Sequence, residues 1–269
     1  MMKPFKVLCI GGSDSSGGAG IQADLKAVSA RGCWGLSVIT AVTAQNTRGV
    51  FGIYPVTPAF VGRQMDVVLQ DTGADAVKTG MLPTTDIIHT VAQKIKKNKI
   101  KNLIVDPVMI AKGGKTLMPG KARLTLIREL LPVALAVTPN VPEAEILSKT
   151  KIKSIEDMKE AARRIHDLGV RNVLIKGGHL SAGRKTEITD VLYNGSFYEF
   201  SSQRISVQGV HGTGCTYASA LAAGLARGKS IIDAALQARI LIIAAIKNHV
   251  STGKGYGAAN VFGEILKKP

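Results

Sequence analysis

The sequence predicts an α/β fold in three layers, with a mostly parallel central sheet, helices on both faces and a β-hairpin near one edge. Short apolar runs alternate with segments of helical spacing along the 269 residues, which is the pattern of parallel strands joined by crossover helices. The pair Asn194-Gly195 between two apolar segments is a strong hairpin signal and indicates the antiparallel part. No repeat or charged linker interrupts the pattern, so residues 1–269 are expected to form a single domain.

Buried strands and helices alternate in the first half of the chain. The apolar run at residues 7–10 breaks at Gly11-Gly12, and the loop GGSDSSGGAG then opens a helix that stops at Gly32. Apolar and β-branched residues at 36–43 predict a second buried strand. The same criteria predict further elements: helices at 58–70 and 85–97, and strands at 76–78 and 103–105.

The second half of the chain continues the alternation. Ser154 and Asp157 form a capping arrangement that begins a helix, and Gly169 ends that helix. The remaining predicted elements are a helix at 124–131, strands at 135–138, 173–176 and 205–207, a helix that follows a glycine turn within 211–228, and a final helix at 230–250.

Composition favours an anionic partner without choosing among several. Lys and Arg number 35 against 19 Asp and Glu, and the resulting formal charge of +16 suits nucleotides or non-specific contact with nucleic acid. Trp34 and the few tyrosines do not alternate with basic residues, so no base-stacking surface and no nucleic-acid partner is expected. The lysine cluster at 96–99 is typical of a solvated helix face.

Cysteine usage and hydropathy predict the compartment. Three cysteines suit a reducing compartment better than a disulfide framework. The first apolar run is too short for a secretory signal, and no run reaches the length of a transmembrane helix. A cytoplasmic protein without a membrane partner is therefore expected. The three cysteines are Cys9, Cys33 and Cys215.

The stretch HGTGCTYASALAAGLARG, residues 211–228, predicts a phosphate site. Gly212 and Gly214 flank Thr213, Cys215 follows, and alanine and leucine then favour a helix. Such a junction directs free backbone N–H groups and the positive end of the helix dipole at one point. A thiol there is expected to have a lowered pKa. The alternative is that the glycines only permit a tight turn and that the cysteine is a small core residue.

Polar and glycine residues recur where the predicted strands end. Ligands of an open parallel sheet bind beyond the carboxyl ends of its strands, so this recurrence predicts an active site. The residues at these ends are Gly12 and Asp14; Gln45 and Asn46; Lys78 to Met81; Asp106; Asn140 and Glu143; Lys176 to His179; and Thr213 to Cys215.

Some of these residues suit magnesium and phosphate. Asp106 and Glu143 are candidate holders of Mg²⁺, which takes one or two carboxylates with phosphate and water, although Glu143 could instead cap the following helix. Lys176 could neutralise phosphates or be an ordinary strand-end lysine. Residues 112–116 end in GKT, but Met109 stands where a Walker A loop needs glycine, so that match fails. The phosphates are therefore assigned to the GTGC turn.

The histidines suggest no metal site. His179 and His211 are isolated, and no His/Cys spacing suggests zinc, so both are interpreted as structural or supporting residues. A Cys-His hydrolase that uses His211 and Cys215 stays open as an alternative.

Together the motifs identify a resemblance. The segments GGSDSSGGAGIQADLK, VTAQNTRGV, VKTGML, VDPVM, TPNVPEAE, KGGH and HGTGCT occur in the order and spacing seen in hydroxymethylpyrimidine/phosphomethylpyrimidine kinases, which belong to the ribokinase-like group and act in thiamine biosynthesis. The resemblance covers nearly the whole chain and implies a ribokinase-like fold. It implies transfer of the γ-phosphoryl group of MgATP to 4-amino-5-hydroxymethyl-2-methylpyrimidine and then to its monophosphate. It also implies a homodimer, which is common in the family.

The resemblance also implies roles for particular residues. Cys215 would accept the proton of the substrate hydroxyl, and the amides of residues 212–215 would stabilise the phosphoryl group. Thr43 stands where the family usually has an apolar residue and is given no site role. The other implied roles are contact with the aminopyrimidine by Gln45 and Asp24; the ring pocket by Gly12, Met81 and Val108; nucleotide binding by Lys176, Thr213, Gly214, Lys254 and Gly255; and magnesium by Asp106, Asn140 and Glu143.

Two other functions are compatible with the pattern. Vitamin B6 kinases share much of it, and Gln45 within AQNT is the feature that favours the pyrimidine, because an amide offers both a donor and an acceptor. A non-catalytic basic nucleotide-binding protein is the second alternative, and it should tolerate loss of Cys215 and Asp106.

Overall fold

The computed structural model describes residues 3–111, 114, 116–180, 186–207 and 209–263, and it places nine strands of these residues in one sheet. The strand order is β3-β2-β1-β4-β5-β6-β7-β8-β9. The strands are β1 (Lys6–Ser13), β2 (Trp34–Asn46), β3 (Gly49–Pro55), β4 (Ala76–Thr79), β5 (Leu103–Val105), β6 (Ala136–Val137), β7 (Asn172–Ile175), β8 (Glu187–Tyr193) and β9 (Phe197–Gln203).

The centre of the sheet is parallel and both edges are antiparallel. Strands β2, β1, β4, β5, β6 and β7 pair in parallel. The apolar residues of β1, β4, β5, β6 and β7 are buried, as is typical of central parallel strands. Strands β8 and β9 form the predicted hairpin at one edge, with Gly195 at a positive φ of 103° in its turn. The prediction of a mostly parallel sheet with a hairpin near one edge is confirmed.

Helices cover both faces of the sheet. In β1, Val7 and Cys9 face a layer of α1, α7 and α8, whereas Leu8 and Ile10 face the layer on the other side, as the period of two requires. The helices are α1 (Gly20–Ala30), α2 (Pro58–Asp71), α3 (Thr85–Lys97), α4 (Gly120–Thr125), α5 (Val141–Ser148), α6 (Ile155–His166), α7 (Thr213–Ala226) and α8 (Ile231–Lys247). No helix in the described ranges is both long and apolar enough to cross a membrane.

The capping arrangement predicted at Ser154 is present at the start of α6. The Asp157 amide donates to the Ser154 hydroxyl over 3.1 Å, and the Ser154 amide donates to the Asp157 carboxylate over 2.9 Å. These bonds satisfy two of the amides that a helix start leaves without partners. The predicted helix at 124–131 is only partly correct, because α4 ends at Thr125 and gives way to a π turn at Leu126–Leu130 and a 3₁₀ turn at Leu131–Val133.

Two predictions about strands are wrong. The segment 205–207 forms no strand, because β9 is already the last strand at that edge and the Val207 amide turns back to the carbonyl of Ile205. Strand β3 was not expected, and β2 continues to Asn46 to pair with it. The polar AQNT end of β2 masked this extension, since the β2–β3 hairpin is partly solvent-exposed and needs no apolar run there.

The predicted glycine turn leads directly into α7. Gly212 has a φ of +78°, which favours glycine, and a β-carbon there would lie 1.8 Å from the carbonyl oxygen of Gly18. The two glycine-rich segments therefore touch backbone to backbone. Helix α7 is buried along most of its length between the sheet, α1 and α8.

Candidate active site

A cavity of about 360 Å³ opens at the carboxyl ends of the central strands. It is bounded by the loop after β1, the ends of β2, β4 and β5, and the start of α7, as expected for a parallel sheet. Almost every predicted site residue lines it: Gly12, Asp24, Gln45, Met81, Asp106, Val108, Asn140, Glu143, Lys176, Gly212, Thr213, Gly214 and Cys215.

A second cavity of about 300 Å³ adjoins the first. They meet at the N terminus of α7, because they share six lining residues: Asn140, Lys176, His179, Val210, Thr213 and Gly214. Six of the residues that line the second cavity are branched and apolar: Ile188, Ile205, Val207, Ile242, Ile243 and Ile246. Two cavities thus converge on the glycine turn.

The meeting point of the cavities combines the start of α7 with an ion pair between Lys176 and Asp106. The first amides of α7 have no partner inside the helix and point outward from its N terminus. A β-carbon on Gly214 would lie 3.4 Å from Lys176 Nζ and 3.8 Å from Asp106 Oδ2, so both charged groups adjoin the turn. Lys176 donates to Asp106 Oδ1 over 2.9 Å. Burial alone would lower the pKa of Lys176, but Asp106 and Glu143 outweigh it and raise that pKa, so the ammonium stays charged.

The Cys215 thiol has a raised pKa, which corrects the sequence-based expectation. Burial raises the pKa of the thiol to about 11, and the Asp24 and Asp106 carboxylates add to the increase. Lys78 and a hydrogen bond from the Gly20 amide act in the opposite direction and are outweighed. The sequence showed the helix start but gave no sign that the Cys215 thiol would be buried away from water. The thiol therefore keeps its proton near neutral pH in this structure.

Glu143 and Asn140 form a capping box at the start of α5. The Glu143 amide donates to Asn140 Oδ1, and the Asn140 amide donates to Glu143 Oε2, each over 2.9 Å. Met109 donates a longer bond of 3.4 Å to Glu143 Oε1. Burial raises the pKa of Glu143 to about 7, although Lys176 lowers it. The capping alternative for Glu143 is thus observed.

The acidic residues are too sparse for a metal cage made of protein alone. Within the described ranges, no group of three His, Cys, Asp or Glu side chains could hold a metal ion. Asp106 and Glu143 nevertheless lie along one wall of the cavity beside Lys176. This set fits Mg²⁺ as it is usually bound beside phosphates, with several waters and one or two carboxylates.

Part of the lining of the first cavity combines apolar contacts with a buried ion pair. Met81 packs with Ala41, Leu117 and Val108, and its sulfur lies 3.0 Å from where a Gly12 β-carbon would stand, so Gly12 keeps that wall open. Asp24 is fully buried. Its carboxylate accepts from Lys78 Nζ at 2.8 and 2.9 Å and from Ser219 at 2.7 Å.

Gln45 belongs to a polar network that the sequence did not reveal. Its amide lies 2.9 Å from His211 Nε2, and the same ring nitrogen lies 3.1 Å from Asp14 Oδ2. His211, which we interpreted as a structural or supporting residue, lines the cavity and contacts Gln45. The sequence offered only a lone histidine beside a glycine motif, far from Gln45 along the chain.

The second cavity is supported by a carboxylate that sequence reasoning missed. Asp190 Oδ1 accepts from the Gly177 amide over 2.8 Å, and Asp190 Oδ2 accepts from the Tyr217 hydroxyl over 3.0 Å and from Arg239. These bonds tie the turn after β7 to β8, α7 and α8. No local motif marks these residues, because their partners come from distant segments.

Lys254 and Gly255 line neither cavity. They lie in an exposed loop after α8, where the Gly255 amide donates to the Thr47 hydroxyl over 3.0 Å and the Tyr256 amide donates to the Thr47 carbonyl over 2.9 Å. This loop packs on the turn between β2 and β3. The cavity linings therefore give no support to the nucleotide role that the resemblance implies for these two residues, and that role is untested. In the GKT segment, residues 112, 113 and 115 lie outside the described residues.

Solved structures define the class of protein. A pyridoxal kinase from Bacillus subtilis, determined as an ADP complex, superposes with a TM-score of 0.90 and 36% identity over 98% of this chain and 100% of that one. A phosphomethylpyrimidine kinase from Clostridium difficile superposes with a TM-score of 0.80 and 42% identity over 90% of this chain and 99% of that one. The fold is that of a ribokinase-like kinase, as predicted.

Sequence comparison narrows the class to a family. A family model described as phosphomethylpyrimidine kinase matches residues 14–260. A hydroxymethylpyrimidine/phosphomethylpyrimidine kinase from Bacillus subtilis is 46% identical over 97% of this chain and 96% of its own length. A thiamine biosynthesis bifunctional protein from Geobacter sulfurreducens is 51% identical over 94% of this chain, which spans about half (51%) of that longer protein. The chain belongs to the phosphomethylpyrimidine kinase family.

Proposed function

We propose that this protein phosphorylates 4-amino-5-hydroxymethyl-2-methylpyrimidine with ATP, and then phosphorylates the resulting monophosphate to the diphosphate, in thiamine biosynthesis. One observation carries the proposal: nearly all the site residues implied by the resemblance surround a single cavity at the N terminus of α7. The Bacillus subtilis relative, which aligns over 96% of its length, is named for both steps.

The two cavities divide the ligands between them. ATP places its base against the isoleucine-rich wall of the second cavity and its phosphates at Thr213, Gly214 and Lys176, where the cavities meet. The alcohol occupies the first cavity beside Gln45 and Met81. Complexes of a Staphylococcus aureus pyridoxal kinase with ADP and with AMP-PCP support a nucleotide site in this fold.

Phosphoryl transfer is a single displacement. The bond between the γ-phosphorus and the β,γ-bridging oxygen breaks, a bond from the hydroxymethyl oxygen to that phosphorus forms, and ADP leaves with the electron pair. The hydroxyl proton passes to Cys215 in its thiolate form, which is a minor fraction near neutral pH because the pKa of the thiol is raised. The amides at the start of α7 and the Lys176 ammonium stabilise the negative charge of the phosphoryl group during transfer.

Magnesium is a proposal that rests on the donor set. Asp106, Asn140 and Glu143 would hold the ion largely through water and the nucleotide phosphates, because their side chains already make protein contacts. The ion would supply charge neutralisation for the phosphates.

The deciding experiment measures ADP release with three acceptors side by side: the hydroxymethylpyrimidine, its monophosphate and pyridoxal. We expect both pyrimidines to be turned over with a higher kcat/KM than pyridoxal. Release of ADP with pyridoxal alone would replace the proposal by the second candidate, a vitamin B6 kinase. That candidate is favoured by the close superposition with pyridoxal kinases, including one from Staphylococcus aureus in complex with pyridoxal at a TM-score of 0.88.

A homodimer and a cytoplasmic location complete the proposal. Strand β3 exposes Phe51 and Tyr54 at the sheet edge, with 69% and 77% of their surface accessible, and such apolar side chains suit contact with a second copy. The three cysteines Cys9, Cys33 and Cys215 are free thiols, which suits a reducing compartment. Light scattering of the purified protein tests the dimer, and a molar mass near 28.4 kDa would contradict it.

A further inference from the structure

The hydrogen bonds around Gln45 contain two conflicts that only one amide orientation removes. With the amide nitrogen turned toward His211, Gln45 Nε2 lies 2.9 Å from His211 Nε2 and Oε1 lies 3.3 Å from the Thr43 hydroxyl. The nitrogen and oxygen of a glutamine amide have nearly the same shape, so their orientation follows from the donors and acceptors around them.

Asp14 determines whether Nε2 of His211, the first partner of the Gln45 amide, carries a hydrogen. Its carboxylate accepts from the Ser16 amide and hydroxyl and from the Gly18 and Ala19 amides, over 2.7 to 3.1 Å. Burial alone would raise the pKa of Asp14, but these hydrogen bonds and the one from His211 outweigh it and hold the pKa below its usual range. An ionised carboxylate only accepts, so the contact with His211 Nε2 at 3.1 Å requires a hydrogen on that nitrogen. A protonated Nε2 cannot accept from the Gln45 NH₂ group.

The Thr43 hydroxyl, which contacts the other polar atom of the Gln45 amide, indicates the same amide orientation. It donates its single hydrogen to the carbonyl of Ser13 over 2.8 Å. It therefore has no second hydrogen for the Gln45 oxygen 3.3 Å away. Its lone pair can accept an N–H instead, so exchanging the amide nitrogen and oxygen removes both conflicts, with the single Nε2–H of His211 shared between Asp14 Oδ2 at 3.1 Å and the Gln45 amide oxygen at 2.9 Å.

We propose that Asp14, His211 and Thr43 are positioning residues that hold the Gln45 amide oxygen on His211 Nε2–H and turn the Gln45 NH₂ group to Thr43 and the cavity. One N–H then binds the Thr43 hydroxyl, and the second faces the ligand. Gln45 thus recognises a hydrogen-bond acceptor, such as a pyrimidine ring nitrogen, and not an exocyclic amine. This consequence for the ligand rests on the proposed function.

The ring of His211 reports the network without any substrate. In a long-range ¹H–¹⁵N spectrum of the ¹⁵N-labelled full-length protein, assigned by loss of the signal in His211→Phe, we expect Nε2 of His211 to carry a hydrogen. A neutral ring with its hydrogen on Nδ1 alone would overturn the inference. Because this spectrum requires no turnover, it decides the inference even if the protein fails to phosphorylate a pyrimidine.

A pair of variants tests which amide atom faces the ligand. Gln45→Glu keeps the shape and an oxygen for His211 but replaces the NH₂ group by oxygen, whereas Gln45→Leu removes both. We expect both variants to raise the KM for the hydroxymethylpyrimidine at least tenfold and to leave the KM for ATP within twofold. A Gln45→Glu variant that binds the pyrimidine as well as the parent protein would show that an acceptor faces the ligand, and it would overturn the inference.

A conservative variant separates the positioning role of Thr43 from a structural role. Thr43→Val removes the hydroxyl at constant shape, and Thr43→Ser restores it. We expect the KM for the pyrimidine to rise several-fold in Thr43→Val with kcat unchanged, and to return in Thr43→Ser. Equal KM values in all three proteins would exclude Thr43 from the network.

Discussion

The Lys78 ammonium binds both carboxylate oxygens of Asp24, at 2.8 and 2.9 Å, in an ion pair that solvent does not reach. Ser219 donates to the same carboxylate, so the pair joins β4, α1 and α7 beneath the cavity. Burial alone would lower the pKa of Lys78, but the attraction of Asp24 outweighs it and raises the pKa. Lys78 is also the cation that most lowers the pKa of Cys215. The pair therefore supports both the fold and the electrostatics of the site.

Removing only one member of this ion pair is expected to reduce the free energy of unfolding more than removing both members. Lys78→Met leaves the Asp24 carboxylate buried without a counter-ion, and we expect a loss of about 3–5 kcal/mol in the free energy of unfolding. The double variant Lys78→Met/Asp24→Leu should recover most of that loss, because no charge remains buried. Urea unfolding measures both variants. A single variant within about 1 kcal/mol of the parent protein would contradict this account.

Cys215→Ala is expected to reduce kcat by about 10²–10⁴-fold, the usual contribution of a positioned proton acceptor. Nucleotide binding should persist, because the amides of α7 and Lys176 are unchanged. Cys33→Ala is the matched control, since Cys33 is buried against α7 at the carbonyl of Ala223 and lines neither cavity. Turnover by Cys215→Ala equal to that of Cys33→Ala would remove the assignment.

The raised pKa of Cys215 predicts a pH dependence. The thiolate is the accepting form, and its fraction grows tenfold per pH unit below a thiol pKa of about 11. We therefore expect kcat at saturating substrate to rise from pH 6 to pH 9 without a plateau, and Cys215→Ala to lose this slope. A flat profile over that range would mean that another group takes the proton or that a different step limits the rate.

Gly212→Ala is expected to destabilise the protein by more than about 2 kcal/mol, because the residue has a positive φ and its β-carbon would overlap the Gly18 carbonyl. Gly120→Ala is a suitable control, since nothing lies within 4 Å of its β-carbon position. Thermal unfolding of the two variants gives the comparison. Similar midpoints for both would show that the glycine turn relaxes at little cost.

Substitution of Lys176 and of Lys254 tests which of these two lysines contacts the nucleotide. Lys176 lines both cavities, and we expect Lys176→Met to raise the KM for ATP at least tenfold. Lys254 lines neither cavity and lies in the loop on Thr47, so Lys254→Met should change that KM less than twofold. The circular dichroism spectra of both variants show whether each remains folded. A tenfold effect of Lys254→Met would restore the C-terminal loop to the nucleotide site.

Local patterns were sufficient for elements whose signals are local. Helix α3 and strand β5 have the predicted bounds, because a strong apolar period and a short buried run identify them directly. Strand β3 was missed because it pairs at a partly exposed edge, where the sequence needs no apolar run. The prediction of a strand at 205–207 was wrong for the opposite reason, since β-branched character alone does not provide a neighbouring strand.

The same distinction between local and long-range signals applies to the candidate site. Strand ends and the glycine turn located the cavity, because both depend on residues that are adjacent in sequence. Pairs such as Lys78–Asp24 and Gln45–His211 join residues 54 and 166 positions apart, and only the fold brings them together. The pKa of Cys215 was predicted in the wrong direction because its main cause, burial, depends on the layers that surround α7.

The backbone contact between Gly18 and Gly212 also limits how this enzyme can be re-engineered. Because a carbonyl oxygen occupies the space of a missing β-carbon, neither loop can be exchanged for a foreign sequence by itself. A variant designed for a new phosphoryl acceptor must therefore replace the loops around Gly18 and Gly212 together, with both loops taken from the same source protein.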